Sequence, residues 1–313
     1  MKTYLVTGAA GFIGSQLAAS LLEDGHTVIT VDNLSTGFAD AIPKGAVFIK
    51  GNCQDQSVID RLYQWKFDAV YHIAGQSSGE VSYDDPVYDL QTNTQSTLQL
   101  LQMCVKTGCR KFIYASSMSV YGDVEEAALP VNEDGIQPAP KSFYGIGKLA
   151  SEHYLRIFTQ QYGIGTAALR LFNVYGPGQN LENLRQGMVS IFLAQALRYG
   201  NIHVKGSADR FRDFVYIDDV VRAFSATEKE LIEAANMTLN ICTGQKTTVG
   251  EIVTFIKEKA EKEISVRFEG NTPGDQFGIY GRPGKAVRAI KWEPKVDFTE
   301  GMNKMIEWAK TRH

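Results

Sequence analysis

Residues 3–14 read T-Y-L-V-T-G-A-A-G-F-I-G, and the fold turns on this stretch. Five residues of strand character run into three glycines, Gly8, Gly11 and Gly14, and an apolar, helix-like segment follows at once. Glycine permits unusual backbone angles and lets a pyrophosphate come close to the main chain. The helix N-terminus then offers that anion free N–H groups and the positive end of its dipole. A glycine trio alone is weak, because glycine-rich turns are common. Its place between a strand and a helix gives it weight.

The next apolar run, T-V-I-T-V-D (27–32), ends at Asp32 and passes into N-L-S-T-G (33–37). A carboxylate at that strand end accepts hydrogen bonds from the hydroxyls of an adenosine ribose. It also repels a 2′-phosphate, and no arginine stands beside it to compensate, so NAD is favoured over NADP. The bland alternative for Asp32 is a turn or cap carboxylate.

Further outward, A-V-Y-H-I-A (69–74), K-F-I-Y-A-S (111–116) and T-A-A-L-R-L-F (166–172) also read as strands. They are unbroken rather than alternating, as parallel strands covered on both faces should be. Helix-like segments near 12–24, 55–64, 84–107 and 143–162 separate them. The pattern predicts an α/β fold: a doubly wound parallel sheet of Rossmann type with right-handed crossovers. After residue 173 the turn-rich N-V-Y-G-P-G-Q-N (173–180) opens a smaller C-terminal substrate-binding domain. R-D-F-V-Y-I-D-D-V (212–220) and T-L-N-I-C (238–242) are candidates to rejoin the main sheet.

Composition sets outer bounds. The 313 residues are 44% apolar and 21% charged with formal net charge −3, and basic clusters are missing. That balance predicts neither a nucleic-acid nor a membrane partner. No apolar run nears the roughly 18 residues of a membrane span. The opening M-K-T-Y-L-V-T-G is read as a strand rather than a leader, since glycines interrupt it and no cleavage site follows. Cys53, Cys104, Cys109 and Cys242 show no metal spacing. They read as small buried hydrophobes of a reducing, cytoplasmic setting, with no metal site.

Two later stretches carry chemistry: Y-A-S-S-M-S-V-Y-G (114–122) and F-Y-G-I-G-K (143–148). Tyr144 and Lys148 stand at i and i+4, on one face of a helix. A phenol is a poor base at neutral pH, and a nearby ammonium favours its phenolate. Ser117, at the end of a strand, can hydrogen-bond the same substrate oxygen. His72 reads as a structural, hydrogen-bonded histidine. Asp218 and Asp219 read as the N-cap and first turn of a helix, and Asp84 and Asp85 before Pro86 likewise. The apolar face of 90–107 reads as packing or dimer surface.

Taken in order, these segments resemble the extended short-chain dehydrogenase/reductases of the NAD-dependent nucleotide-sugar epimerase/dehydratase family, in its UDP-glucose 4-epimerase-like branch. The likeness adds H-I-A-G-Q, D-D-P…N-T-Q-S-T (84–97), L-R-L-F-N-V-Y-G-P-G-Q (169–179) and P-G-D (273–275), and runs over nearly the whole chain. It implies Ser117, Tyr144 and Lys148 as the catalytic triad. Gly8, Gly11, Phe12, Ile13, Gly14, Asp32, Asn33, Ser35, Thr36, Gly37, Asn52, Cys53, Ala74, Gln76 and Asn93, with Tyr144 and Lys148, would meet the cofactor. Ser117, Asn173, Gly187, Met188, Val189, Val204, Arg212 and Asp275 would meet a nucleotide-diphosphate sugar. It further implies an NAD-binding domain of 1–173 plus about 212–242, a nucleotide-sugar domain of 174–211 and 243–313, and a homodimer.

Two positions depart from the family. Asn52 replaces a common aspartate, and Thr272 replaces a phosphate-binding arginine, leaving Arg282, Arg288 or Arg212 alone to serve. Met118 and Ser119 occupy the slots where dehydratases carry an Asp-Glu pair and decarboxylases a glutamate. Elimination needs an acid and a base there; oxidation followed by reduction does not. The expected reaction is therefore epimerisation at C4 of a UDP-sugar with NAD retained. A nucleotide-keto-sugar reductase is the alternative, and a non-catalytic NAD-binding regulator a remote one.

Overall fold

The computed structural model describes residues 1–261, 263–270 and 276–312. β1 (Thr3–Thr7) leads through the glycine turn into α1 (Phe12–Glu23), and β2 (Thr27–Asp32), β3 (Val47–Lys50) and α2 (Gln56–Leu62) follow. Next come β4 (Ala69–His72), α3 (Gly79–Asp84), α4 (Pro86–Leu90), α5 (Ser96–Thr107), β5 (Lys111–Ser117), α6 (Phe143–Tyr162) and β6 (Gly165–Leu171). The later half holds β7 (Asn173–Tyr175), α7 (Met188–Tyr199), β8 (Asn201–Lys205), β9 (Phe211–Arg212), β10 (Phe214–Tyr216), α8 (Ile217–Glu230) and β11 (Asn236–Ile241). β12 (Thr247–Thr248), α9 (Val249–Lys259), β13 (Ser265–Glu269), α10 (Gly284–Ile290) and α11 (Phe298–Lys310) follow.

Seven strands hydrogen-bond in the order β3-β2-β1-β4-β5-β6-β11, every pair parallel. The unbroken apolar runs are explained by cover on both faces. Tyr4, Val6 and Ile113 join Leu17 of α1 and Phe224 of α8 in one layer. Leu5, Ile29 and Phe112 join Leu62, Leu101 and Leu155 in the other. A third core unites α7, α9 and α11 through Phe192, Ile252 and Met305. The strand order reverses between β1 and β4, and an open α/β sheet places its ligand crevice at that point, beyond the carboxyl ends of the strands. The glycine turn, Asp32 and Ser117 all lie at such ends.

One ionic group is buried under the second layer. Glu152 of α6 and Arg170 of β6 are both nearly inaccessible and form a salt bridge of 2.7 Å. Ser116 Oγ donates to the same carboxylate at 2.5 Å.

The structure departs from the sequence reading at several points. The helical segment 84–107 is broken: Asp85, at φ −145°, leaves the helical region before Pro86, as a residue preceding proline tends to. Its carboxylate then caps α4 by accepting from Tyr88 N at 2.9 Å. Gln91–Gln95 winds as a π-helix before α5 begins. Strand β3 has no counterpart among the expected strands, because four residues at a sheet edge with Val47 and Lys50 exposed carry little apolar signal. The T-L-N-I-C segment does join the main sheet, as β11 beside β6. Residues 211–216 do not; they form small ladders, β9 with β12 and β10 with β7. Asp213 sits between them, buried, and accepts from Thr243 N (2.8 Å), Thr243 Oγ1 (2.7 Å) and Gly244 N (2.8 Å). That carboxylate ties the segment to the loop after β11.

Candidate active site

The glycine turn is shaped by what cannot fit there. Gly8 has φ +71°, and a methyl built on it would stand 2.8 Å from Ala74 N. A methyl on Gly14 would overlap the Gly8 carbonyl. Helix α1 therefore starts hard against the strand ends, and its N-cap Gly11 supplies no side chain to occupy the first-turn N–H groups. Asp32 closes this pocket. Its Oδ2 accepts from Ala10 N at 3.0 Å and its Oδ1 from Leu34 N at 2.7 Å. Each carboxylate oxygen keeps a further acceptor position. Beside it Asn33 Nδ2 donates to Asn52 Oδ1 at 2.8 Å, and Asn52 Nδ2 donates to Asp55 at 2.8 Å. An anion cradle at a helix N-terminus followed by a free carboxylate acceptor fits a dinucleotide.

Ser117 ends β5, and α6 brings Tyr144 and Lys148 to it. Ser117 Oγ accepts from Ser119 N at 3.1 Å and lies 3.2 Å from Ser119 Oγ. Lys148 Nζ donates to Ala115 O at 2.9 Å and stands 4.8 Å above the Tyr114 ring and 5.7 Å from that of Tyr144. Both catalytic candidates are buried, and burial governs their acidity. It pushes the Tyr144 phenol up to about 12, against a hydrogen bond from Ser117. It brings the Lys148 ammonium down to about 8, against the charge of Asp89. The lysine that favours the phenolate thus works against the burial of the phenol.

A single cleft of about 1850 Å³ collects nearly all the expected positions. Pockets for a single small ligand run to roughly 300–1,000 Å³, so this one has room for two nucleotide-sized molecules. Of the cofactor set, Gly8, Gly11 to Gly14, Asp32, Asn33, Ser35 to Gly37, Asn52, Cys53, Ala74 and Gln76 line it. So do Ser117, Tyr144, Lys148, Asn173, Gly187 to Val189, Val204 and Arg212. Asn93 does not: it is fully buried behind the wall, donating to Gln76 O at 2.9 Å and Asp89 Oδ1 at 3.1 Å. Asp275 and Thr272 lie outside the described residues. Arg282 and Arg288 are exposed and away from the cleft, whereas Arg185, Lys205 and Arg210 line it. No motif marks those three, so sequence reasoning missed them.

The mouth of the cleft is bridged. Arg185 pairs with Asp84 at 2.6 Å and Lys205 with Glu80 at 3.1 Å. Ser78 Oγ donates to Arg185 O at 3.2 Å.

The bland readings mostly hold. His72 contacts Thr7 Oγ1 at 2.8 Å and Thr97 Oγ1 at 3.1 Å, and burial, then Lys148, lowers it to about 3. Asp218 and Asp219 lie in the first turn of α8, although the cap itself is Tyr216. Asp219 is fully buried, accepting from Lys295 N at 2.9 Å and Val296 N at 3.1 Å. Asp84 pairs with Arg185 instead of capping a helix. Among the described residues no cluster of His, Cys, Asp or Glu is suited to a metal ion, and no helix is long and apolar enough to cross a membrane.

Comparison with known proteins agrees with this geometry. Residues 4–242 match the NAD dependent epimerase/dehydratase family. The UDP-glucose 4-epimerase of Mycolicibacterium smegmatis is 33% identical, over 100% of this chain and 99% of its own. The structure of Thermotoga maritima UDP-glucose 4-epimerase with UDP-glucose superposes with TM-score 0.92 at 36% identity, covering 99% of both chains. UDP-glucuronic acid decarboxylase 1 of Danio rerio is 30% identical over 98% of this chain and 72% of its own.

Proposed function

We infer, from the premise that this chain belongs to the NAD dependent epimerase/dehydratase family, that it is a UDP-sugar 4-epimerase. One observation carries the reading: Ser117, Tyr144 and Lys148 meet in one cleft, while Met118 and Ser119 follow without an acid. Gly8, Gly11, Gly14, Asp32, Asn33 and Gln76 would hold NAD, which when bound supplies the acceptor and donor of the C4 hydrogen and its two electrons. Tyr144 takes the proton of the C4 hydroxyl and later returns it to the opposite epimer. Its phenol needs positive charge to ionise, and Lys148 is the group of this chain that provides it. Ser117 holds the C4 oxygen by hydrogen bond through both steps. Asn173, the 187–189 backbone, Val204 and Arg212 would seat the UDP half. Residues 1–173 plus about 212–242 would then form the NAD-binding domain, and 174–211 with 243–313 the sugar-nucleotide domain. The decarboxylase relative loses favour because neither Met118 nor Ser119 can replace a carboxylate acid.

The test incubates the protein with UDP-glucose or UDP-galactose without added NADH, following sugar configuration and absorbance at 340 nm. The expected result is interconversion with no net NADH. Stoichiometric NADH consumption would identify a keto-sugar reductase, and a 4-keto-6-deoxy product would overturn the reading of Met118 and Ser119.

Cofactor choice should depend on Asp32. In Asp32→Ala, NAD binding weakens and the preference over NADP narrows, measured by titration with both dinucleotides. A wild-type protein that binds NADP better would exclude the ribose role.

A homodimer is part of the same proposal. Phe143, Ile146, Tyr154 and Ile157 of α6 and Val105 of α5 are exposed apolar side chains on neighbouring helices, which supports a four-helix interface about a two-fold axis. Sedimentation equilibrium should give twice the chain mass; a concentration-independent monomer would end the idea.

A further inference from the structure

We propose that Asp89 is a positioning residue for this site: its buried carboxylate fixes the amides of Gln76 and Asn93 and stands as counter-charge behind the Lys148 ammonium. The proposal rests on the Ser117–Tyr144–Lys148 reading above.

Asp89 lies in α4 with 1% of its surface accessible. A carboxylate taken out of water costs several kcal/mol unless hydrogen bonds and a cation compensate. Oδ1 accepts from Gln76 Nε2 at 2.9 Å and from Asn93 Nδ2 at 3.1 Å. Two neutral amides do not balance a full charge. Burial pushes the Asp89 carboxyl up, against the hydrogen bonds from Asn93 and Gln76 and the charge of Lys148, and burial lowers the Lys148 ammonium against the charge of Asp89. Access is built into α6: a methyl on Gly147, the residue before Lys148, would stand 3.3 Å from Asp89 Oδ2 and 3.2 Å from Asn93 Cβ. Glycine there lets α6 pass close over the carboxylate.

The orientation of Asn93 follows. Its Nδ2 is committed to Asp89 and to Gln76 O, so its Oδ1 points the other way, buried and without a partner. A methyl built on Gly75 would overlap that oxygen and stand 3.4 Å from Lys148 Nζ. The amide oxygen and the ammonium therefore flank the same small space. With the amide reversed, an NH₂ group would face the ammonium there.

Other ionisable groups around Lys148 cannot take over this duty. Tyr114 on β5 is a phenol that burial holds protonated, and Tyr144 on α6 passes between phenol and phenolate as the reaction proceeds, so its charge is not a standing one. His72 on β4 is held neutral. Glu152, one turn along α6, is bound to Arg170.

The test compares wild type, Asp89→Asn and Asp89→Glu, all loaded with NAD. Lys148 is acetylated by acetic anhydride across a pH series and quantified by peptide mass spectrometry, without any sugar present. Because the free amine reacts, Asp89→Asn should move the midpoint of Lys148 reactivity to lower pH, by roughly one unit. Asp89→Glu should leave it near wild type. The alkaline limb of kcat should move in step with that midpoint, while KM changes less than kcat. A structural role alone would lower stability and leave both midpoints in place. Equal midpoints in wild type and Asp89→Asn, or equal shifts in both variants, overturn the proposal. If Asp89→Asn does not fold, Asp89→Ser replaces it under the same criteria. A wild-type protein inactive on UDP-sugars would defeat the functional reading, yet the labelling would still decide whether Asp89 governs Lys148.

Discussion

Tyr144→Phe should lower the rate of UDP-sugar interconversion by roughly 10²–10⁴-fold, the range typical of a lost general acid–base group, while NAD still binds. The substitution removes one oxygen from a buried ring and leaves the packing of α6 intact. Gly8, Gly14 and Asp32 belong to other elements, so the pyrophosphate and ribose sites are untouched and only the contact of the Tyr144 hydroxyl is lost. The loss should fall on kcat rather than KM, because the hydroxyl transfers a proton and contributes little to holding the UDP half. Ser117→Ala should also slow the reaction, and Met118→Ala should do so much less. Steady-state kinetics with NAD content measured on the same samples checks each point. A Tyr144→Phe protein within tenfold of wild type would mean another group takes the proton.

The second large effect is on stability. In Glu152→Leu the Arg170 guanidinium remains buried with its carboxylate gone, and breaking such a pair costs about 3–5 kcal/mol. More than one element depends on it. Arg170 Nε and Nη2 both reach Glu152, at 3.0 and 2.7 Å, and its guanidinium lies 4.7 Å from the centre of the Tyr121 ring. Tyr121 OH in turn donates to Asn240 Oδ1 at 2.7 Å, so α6, β5, β6 and β11 share one network. The double variant Glu152→Leu/Arg170→Leu should recover much of the loss, because the cost lies in the stranded charge more than in the absent attraction. Urea unfolding of the three proteins measures this. A single variant destabilised by less than about 1 kcal/mol would place the pair among ordinary surface bridges.

Much of the site was legible because its chemistry is written in local spacing. Gly8, Gly11 and Gly14 lie within one turn, Asp32 ends an apolar run, and Tyr144 with Lys148 needs only a helix to face one way. What stayed hidden depends on distance in sequence. Asp89 looks like any polar helix residue until α6 closes over it. Asn93 was expected on the cofactor wall and lies behind it, because Asp89 and Gln76 hold its amide inward. The acidity of Tyr144 shows the same limit: the sequence displays the neighbouring lysine, whereas burial emerges only from packing. The broken helix at 84–96 could have been anticipated from Pro86, since the residue before a proline avoids helical angles.

The two ion pairs across the cleft mouth also say something about traffic. Arg185–Asp84 and Lys205–Glu80 involve side chains that keep much of their surface in water, and pairs of this kind are weak. Such pairs offer little resistance to parting, so they are a weak fastening between the segments they join. At physiological ionic strength, with a screening length of about 8 Å, parting becomes easier still. A sugar nucleotide thus meets a latch rather than a lock, and once inside it is the depth of the cleft, not the closure of its rim, that must retain it.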